Sequence, residues 1–306
     1  MDAIAINRLS KRYGAITALD AISLQVSAGE IYGFLGPNGA GKTTAIRSLL
    51  GFVRPTSGNC EIFGQDCWQS GVQARRNLGF LISAGTLYPD MTGDAYLDYV
   101  TRLEQRPSVL RRTLLERFEL DSAALRRKVG GYSKGMKQKL ALTACMQSDP
   151  KLLILDEPTD GLDPLMQRVF EELLSFVHAR GTTVFMSSHD LGEIERVCDR
   201  VAIIRGGKIV AEAAVDELTA RRQRLIEVKF VGSAPDWPET PSERVLERNG
   251  NRLMISTRDD TRRILNELSK RDDVSDILVS RPSLEEIFHE YYTAPGDLEP
   301  GRHQSL

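Results

Sequence analysis

Gly36-Pro37-Asn38-Gly39-Ala40-Gly41-Lys42-Thr43 fits the spacing G-x-x-x-x-G-K-[ST], and it follows directly on the apolar run Ile31-Tyr32-Gly33-Phe34-Leu35. No other feature restricts the fold as much, because the pattern requires a strand before it and a helix after it. Glycines let backbone N–H groups converge on phosphate oxygens, and the N-terminus of the next helix adds about half a positive charge. The loop therefore predicts a nucleoside triphosphate site, with Lys42 on the β- and γ-phosphates and Thr43 on Mg²⁺. A plain Gly-rich turn is the alternative, and the full pattern in this setting displaces it.

The 306 residues allow one large domain and a smaller one. Lys+Arg 40 against Asp+Glu 42 leaves a net charge of -2, so no global positive field marks a nucleic-acid binder, and no nucleic-acid partner is expected. Cys60, Cys67, Cys145 and Cys198 have neither zinc nor disulfide-framework spacing and read as reduced, packed thiols of a cytosolic chain. The N-terminus carries no apolar stretch long enough for a secretory signal. No uninterrupted apolar run approaches the ~18 residues of a spanning helix. If the chain works at a membrane, a partner supplies the membrane part.

Up to about Val26 the pattern is strand, turn, strand, an antiparallel edge with Ile22-Ser23-Leu24-Gln25-Val26 alternating. A helix from about Lys42 to Leu50 follows the loop, then strand pieces near Cys60–Phe63 and Leu78–Leu81. From about Gly93 to Lys128 the period is helical, which reads as an insert. Ser133 stands at an N-cap before a helix over Lys134–Met146, and Asp149-Pro150 leads into the buried strand Leu152-Leu153-Ile154-Leu155. A helix from about Leu165 to His178, a strand over Thr182–Met186 and a short helix over Leu191–Val197 come next. Strands alternating with helices predict a largely parallel sheet covered on both faces, and Gly206-Gly207 predicts a hairpin that closes it.

Beyond about Arg224 the texture changes. The pieces are alternation over Ile226–Val231, a Pro-rich polar stretch over Ser233–Ser242, a strand at Leu253–Ser256, a helix at about Asp260–Lys270, a strand at Ile277–Val279 and a helix at Ser283–Tyr292. The expected domains are 1–223, with a helical insert at about 90–147, then a small α+β unit at 224–294 and a disordered tail at 295–306.

Leu152–Leu155 runs into Asp156-Glu157, two carboxylates where a parallel sheet exposes its C-terminal edge beside the phosphate loop. Neighbours on a strand point opposite ways, so their roles should differ. Asp156 suits the Mg²⁺ shell. Glu157 suits orienting or deprotonating the attacking water, since phosphoryl transfer is served mainly by positioning and charge. The pair alone could equally be a solvated acidic strand end.

Tyr132-Ser133-Lys134-Gly135-Met136, Asp160-Gly161-Leu162-Asp163 and Ser187-Ser188-His189-Asp190 occur in that order around the carboxylates. With the loop they resemble the ATP-binding cassette (ABC) ATPases over about residues 1–220. The resemblance implies an α/β fold of the ABC P-loop NTPase type, with an antiparallel β subdomain and a helical insert, here joined to a small C-terminal α+β domain. It implies ATP and Mg²⁺ as cofactors, with ATP held by the loop from Gly36 through Thr43 and by Thr44. Ser133 and Gly135 would contact the γ-phosphate bound by the other copy in a head-to-tail homodimer, a reasonable anion site at a helix N-terminus. Capping is the simpler role for Ser133, and both can hold. Asp163 would lie in the loop joining the two sites, and His189 would be the switch residue at the γ-phosphate. Tyr13 matches the position on which that family stacks adenine, and in isolation it reads equally as a packed ring at a turn.

The family's signature usually reads Leu-Ser-Gly-Gly-Gln, whereas Tyr132, Lys134 and Met136 stand at three of the five positions here. That variant is similar to the ATPase subunits of two-component bacterial exporters. Aligning Leu87-Tyr88-Pro89 puts Ser83 where the family usually supplies Gln or Glu to Mg²⁺ and water. Serine is too short to reach equally far, so a bridging water and slow unassisted hydrolysis are expected. Arg281-Pro282-Ser283-Leu284-Glu285-Glu286-Ile287-Phe288 is similar to the C-terminal extension of many such exporter ATPases. Leu284, Ile287 and Phe288 form a stripe that reads first as core packing, and second as a dimer or regulatory contact.

The resemblance implies the energising subunit of an exporter, peripheral on the cytoplasmic face of the inner membrane and coupled to multi-span permease subunits. The alternative is an ABC ATPase working as a mechanical switch on ribosomes or DNA. The ribosomal type usually has two cassettes and a basic linker, and this chain has one cassette and no such run. Import is a third option that only the variant signature and the C-terminal unit oppose. The cargo is not written in these residues.

Overall fold

The computed structural model describes residues 1–81, 87–220, 224–240, 243–257 and 261–280. The chain divides into two compact units, Met1–Val215 and Asp216–Leu306. In the first, β1 (Asp2–Tyr13) and β2 (Ile16–Ser27) form a long antiparallel pair, and β3 (Ile31–Leu35) runs into the phosphate loop and α1 (Lys42–Leu49). β4 (Ser57–Ile62), β5 (Gln65–Asp66), α2 (Gly71–Ala74) and β6 (Leu78–Leu81) follow. The insert holds α3 (Gly93–Glu104), α4 (Arg111–Arg117) and α5 (Ser122–Leu125). Then come α6 (Lys134–Met146), β7 (Leu152–Asp156), α7 (Pro164–Ala179), β8 (Thr183–Ser188), α8 (Leu191–Val197), β9 (Arg200–Arg205) and β10 (Lys208–Ala214), and α9 (Val215–Ala220) begins at the last residue of this unit and belongs otherwise to the second.

Two sheets carry this unit. A four-stranded antiparallel sheet has the order β2-β1-β4-β5, and a six-stranded sheet has the order β10-β9-β3-β8-β7-β6. Within the second, β6, β7, β8, β3 and β9 are parallel, and β10 closes the edge as an antiparallel hairpin on β9. Burial explains the difference between the sheets. β3, β7 and β8 are buried at every residue, as strands covered on both faces must be. In β2 burial alternates from Ile22 to Val26, as for a sheet with one face in water. Tyr32, Phe34 and Phe185 stack at the centre of the core, with Ile4, Leu24, Ile46, Leu49 and Ile154 in the same cluster.

In the second unit β11 (Arg224–Phe230), β12 (Glu243–Asn249), β13 (Arg252–Thr257) and β14 (Val274–Ser280) form an antiparallel sheet ordered β12-β13-β11-β14. The apolar stripe of α10 (Thr261–Leu268), Ile264 and Leu268, packs with Ile226, Val228, Phe230, Leu253 and Ile255. The sequence reading missed β12, an edge strand whose residues Glu243-Arg244-Val245-Leu246-Glu247-Arg248-Asn249 are largely exposed and show no apolar alternation. β8 also runs two residues past Met186, which brings Ser187 and Ser188 onto the strand. The helix expected at 283–292, the segment 281–288 and the tail lie outside the described residues.

Candidate functional site

β3 ends at Leu35 and Gly36 begins the loop, where a Cβ would lie 2.4 Å from the carbonyl oxygen of Ile204. Only glycine fits there without moving β9. Gly41 caps α1 at φ 114, where an added Cβ would sit 2.6 Å from the Ala18 carbonyl oxygen, so both approach and backbone conformation demand glycine. It brings no side-chain acceptor to the helix start, and the first-turn N–H groups still point at the loop's concave side.

From this loop, a chain of short contacts joins the residues singled out in the sequence. Thr43 Oγ1 donates to Asp156 Oδ2 at 2.8 Å. Lys42 Nζ, on a buried side chain, donates to the Gly36 carbonyl at 2.5 Å and lies 3.0 Å from Glu157 Oε1. That ion pair is electrostatic contact without aligned hydrogen bonding, since Oε1 has no hydrogen-bond partner. Glu157 Oε2 is 2.6 Å from His189 Nδ1.

The two carboxylates diverge for a reason beyond strand pleating. Asp156 is the last residue of β7, while Glu157 has left the strand at φ 50, in the left-handed region. Strain of this kind is held by its surroundings, here by Ser187: its hydroxyl donates to Asp156 Oδ1 at 2.5 Å and accepts the Glu157 N–H at 3.1 Å. The sequence places Ser187 in the segment Ser187–Asp190 but assigns it no role of its own. The available signal was two serines ending a strand that otherwise reads Thr183-Val184-Phe185-Met186.

Ser133 and Asp163 are built alike, and separately. Ser133 caps α6 by accepting the Met136 N–H at 3.2 Å, and Asp163 caps α7 by accepting the Met166 N–H at 2.9 Å, with Pro164 at the first helical position. A Cβ on Gly135 would come 3.1 Å from the Gly161 carbonyl oxygen, Lys134 Nζ reaches Asp160 Oδ1 at 2.6 Å, and Gln138 donates to the Pro158 carbonyl at 2.5 Å. Among the described residues no hydrogen bond or ion pair joins Ser133, Gly135 or Asp163 to the loop from Gly36 to Thr44. Tyr13, at the end of β1, is 46% exposed with Lys11 Nζ 5.0 Å from its ring centroid. Ser83 lies outside the described residues.

Thr43 and Asp156 present hard oxygen donors side by side, the chemistry Mg²⁺ prefers when phosphate and water complete its shell. A groove of about 560 Å³ beside α1, β6, α3 and α6 exposes Phe52, Phe80, Tyr88, Tyr99 and Leu103. No helix among the described residues is long and apolar enough to cross a membrane.

Comparison with known proteins agrees with this geometry. The ABC transporter family profile matches residues 19–160. The chain is 38% identical over 226 residues to the bacitracin transport ATP-binding protein BcrA of Bacillus licheniformis, covering 72% of this chain and 73% of that one. It is 38% identical to the daunorubicin resistance ATP-binding protein DrrA3 of Streptomyces coeruleorubidus, covering 71% and 70%. It is 32% identical to the Nod factor export ATP-binding protein I of Rhizobium etli, covering 94% and 92% and so reaching into the second unit. An ATP-binding subunit of an ABC transporter superposes with a TM-score of 0.66 at 29% identity, over 71% of this chain and 91% of that one. A dimeric bacterial ABC transporter cassette shares the fold, with a TM-score of 0.64 at 22% identity over 69% and 98%. With a phosphate loop, paired carboxylates and histidine linked in one network, and relatives aligned along most of its length, this chain belongs to the ABC transporter ATP-binding proteins and is an ATP-hydrolysing cassette of that family.

Proposed function

We propose that the chain drives export, hydrolysing ATP between two copies of itself on the cytoplasmic face of the inner membrane and passing the motion to separate multi-span permease subunits. The observation that carries the reading is the pair of contact paths Thr43–Asp156 and Lys42–Glu157–His189, joined through Ser187. Gly36 to Thr44 and the start of α1 bind the β- and γ-phosphates, with Lys42 neutralising charge. Thr43 and Asp156 would hold Mg²⁺, which neutralises charge developing on the phosphoryl oxygens when bound. Glu157 takes the proton of the attacking water, and His189 holds that carboxylate and meets the γ-phosphate. Tyr13 stacks on the adenine. Ser133 and Gly135 complete the site of the second copy, and Asp163 lies between the two sites.

Relatives named for bacitracin transport, daunorubicin resistance and Nod factor export support the direction of transport. The aromatic groove suits a membrane partner: Phe52, Phe80, Tyr88, Tyr99 and Leu103 bring exposed apolar side chains together along one groove, where a partner can bury them. The two units act as separate domains, the first a motor and the second an accessory to it. Fractionation of cells expressing the tagged chain tests the reading. It should sediment with membranes and bring down a multi-span protein, and Phe80→Asp should release it while ATP turnover persists. Recovery with ribosomes or DNA instead would replace export with the mechanical-switch reading.

A further inference from the structure

We propose that Glu193 is a positioning residue for His189, acting through the hydroxyl of Ser188. The inference rests on reading His189 as the group that meets the γ-phosphate. α8 starts at the cap residue Asp190, whose Oδ1 accepts the N–H groups of Gly192 at 2.7 Å and Glu193 at 3.2 Å. In an ordinary capping box the acidic residue three positions on turns its carboxyl back to the cap residue's own N–H. Here the Ser188 hydroxyl occupies that place. It accepts the Asp190 N–H at 2.9 Å and donates to Glu193 Oε2 at 2.6 Å. One hydroxyl therefore closes the turn on both sides of His189, and Glu193 fixes which way that hydroxyl points.

The burial of the parts makes the relay directional. Ser188 is 1% and Glu193 3% exposed, so water does not compete for the hydroxyl, whereas the His189 side chain is 64% exposed and reaches Glu157 at 2.6 Å. An exposed imidazole holds one place at the edge of a site only if its backbone is fixed from below. Glu193 Oε1 has no hydrogen-bond partner, and a buried carboxyl left half satisfied costs stability. Burial is the main cause that pushes its pKa up to about 7, with Asp190 and Glu157 adding and the hydroxyls of Ser188 and Thr159 opposing. Thr159 belongs to the turn that follows Glu157, so the same carboxyl faces both segments that carry reacting side chains. On the other packed faces, Glu171 of α7 is held by Arg196 at 2.7 Å, and the buried Cys198 thiol stays protonated.

The test compares turnover, nucleotide affinity and melting of the full chain and its variants with MgATP. Glu193→Ala and Ser188→Ala should each lower kcat about ten- to a hundredfold, the scale of a misplaced catalytic group, with KM and ATP affinity within about twofold. Glu193→Gln, which still accepts from Ser188, should recover most of the rate. The double variant Ser188→Ala with Glu193→Ala should be no worse than either single one, because the two act in series. Singles with unchanged kcat, or losses that multiply in the double variant, would overturn the proposal. Should Glu193→Ala not fold, Ser188→Ala removes only a hydroxyl and decides alone. His189→Ala separates the two levels: if it keeps full turnover, the reading of His189 falls. If it is inactive while Ser188→Ala is normal, only the relay falls.

Discussion

The phosphate loop and the start of α6 both offer backbone N–H groups to an anion, but the loop is in contact with the carboxylates of Asp156 and Glu157, whereas the carboxylate beside α6, Asp160, is paired with Lys134. Around the loop, Thr43, Lys42, Asp156, Glu157 and His189 are tied together by contacts of 2.6–3.0 Å and held from behind by Ser187. Around α6, Ser133 is exposed and its oxygen serves its own helix, while Lys134 and Gln138 bind the turn that follows Glu157. The first region gathers the side chains proposed to carry the reaction. The second carries the capped helix start proposed to meet the other copy's nucleotide. Among the described residues no hydrogen bond or ion pair joins Ser133, Gly135 or Asp163 to the loop, which is why the proposal places them at the site of a second copy.

Breaking the first half should have the largest effect. Glu157→Gln keeps the loop and Thr43–Asp156 and removes the base, so turnover measured by phosphate release should fall on the order of 10²–10⁴-fold, with ATP still bound. Near-normal turnover would move the base elsewhere. Charging the second half comes next. Ser133→Asp preserves a good N-cap and so the melting temperature, but sets a negative charge where the other copy's γ-phosphate should arrive, a clash of several kcal/mol. ATP-dependent association should be lost. If association and turnover survive, Ser133 is only a cap.

A third effect distinguishes the halves by pH. Glu193 has its folded-state pKa raised to about 7 by burial, above an unfolded value of about 4.3. Below that unfolded value both states are protonated and no penalty applies. As pH rises toward 7 the unfolded chain releases its proton and the folded one does not, so stability falls by roughly 4 kcal/mol and then levels off. Denaturant melts from pH 4 to 8 should show Glu193→Gln without this fall, and Ser133 variants with it. The smallest effect is Ser133→Ala, which should cost ~1 kcal/mol through the lost cap. No measurable loss of stability would mean that the cap bond to Met136 is not maintained in solution.

Signals confined to neighbouring residues were legible in the sequence. The loop after Ile31–Leu35, the Ser133 cap with the helix over Lys134–Met146, and the Asp156-Glu157 pair at a strand end follow from period, capping and spacing, and each lies where the structure has it. What was illegible depends on residues far apart in the chain. Ser187 matters because β7 and β8 are neighbours with Asp156 opposite Ser187, and no local pattern reveals that register. Glu193 reads locally as an ordinary first-turn acid of a helix, and only its burial against Ser188 and Thr159 distinguishes it. The left-handed conformation of Glu157 is likewise invisible, since glutamate carries no preference for it. β12 escaped because an exposed, charged edge strand need not alternate.

On the proposed reading, the loop of one copy and the α6 start of another should meet only when ATP brings the two copies together. Light scattering on the Glu157→Gln chain with saturating ATP and Mg²⁺ measures this directly. Molecular mass should double, an effect that ADP does not produce and that Ser133→Asp abolishes, whereas a particle that stays monomeric with ATP bound would contradict a site shared between copies.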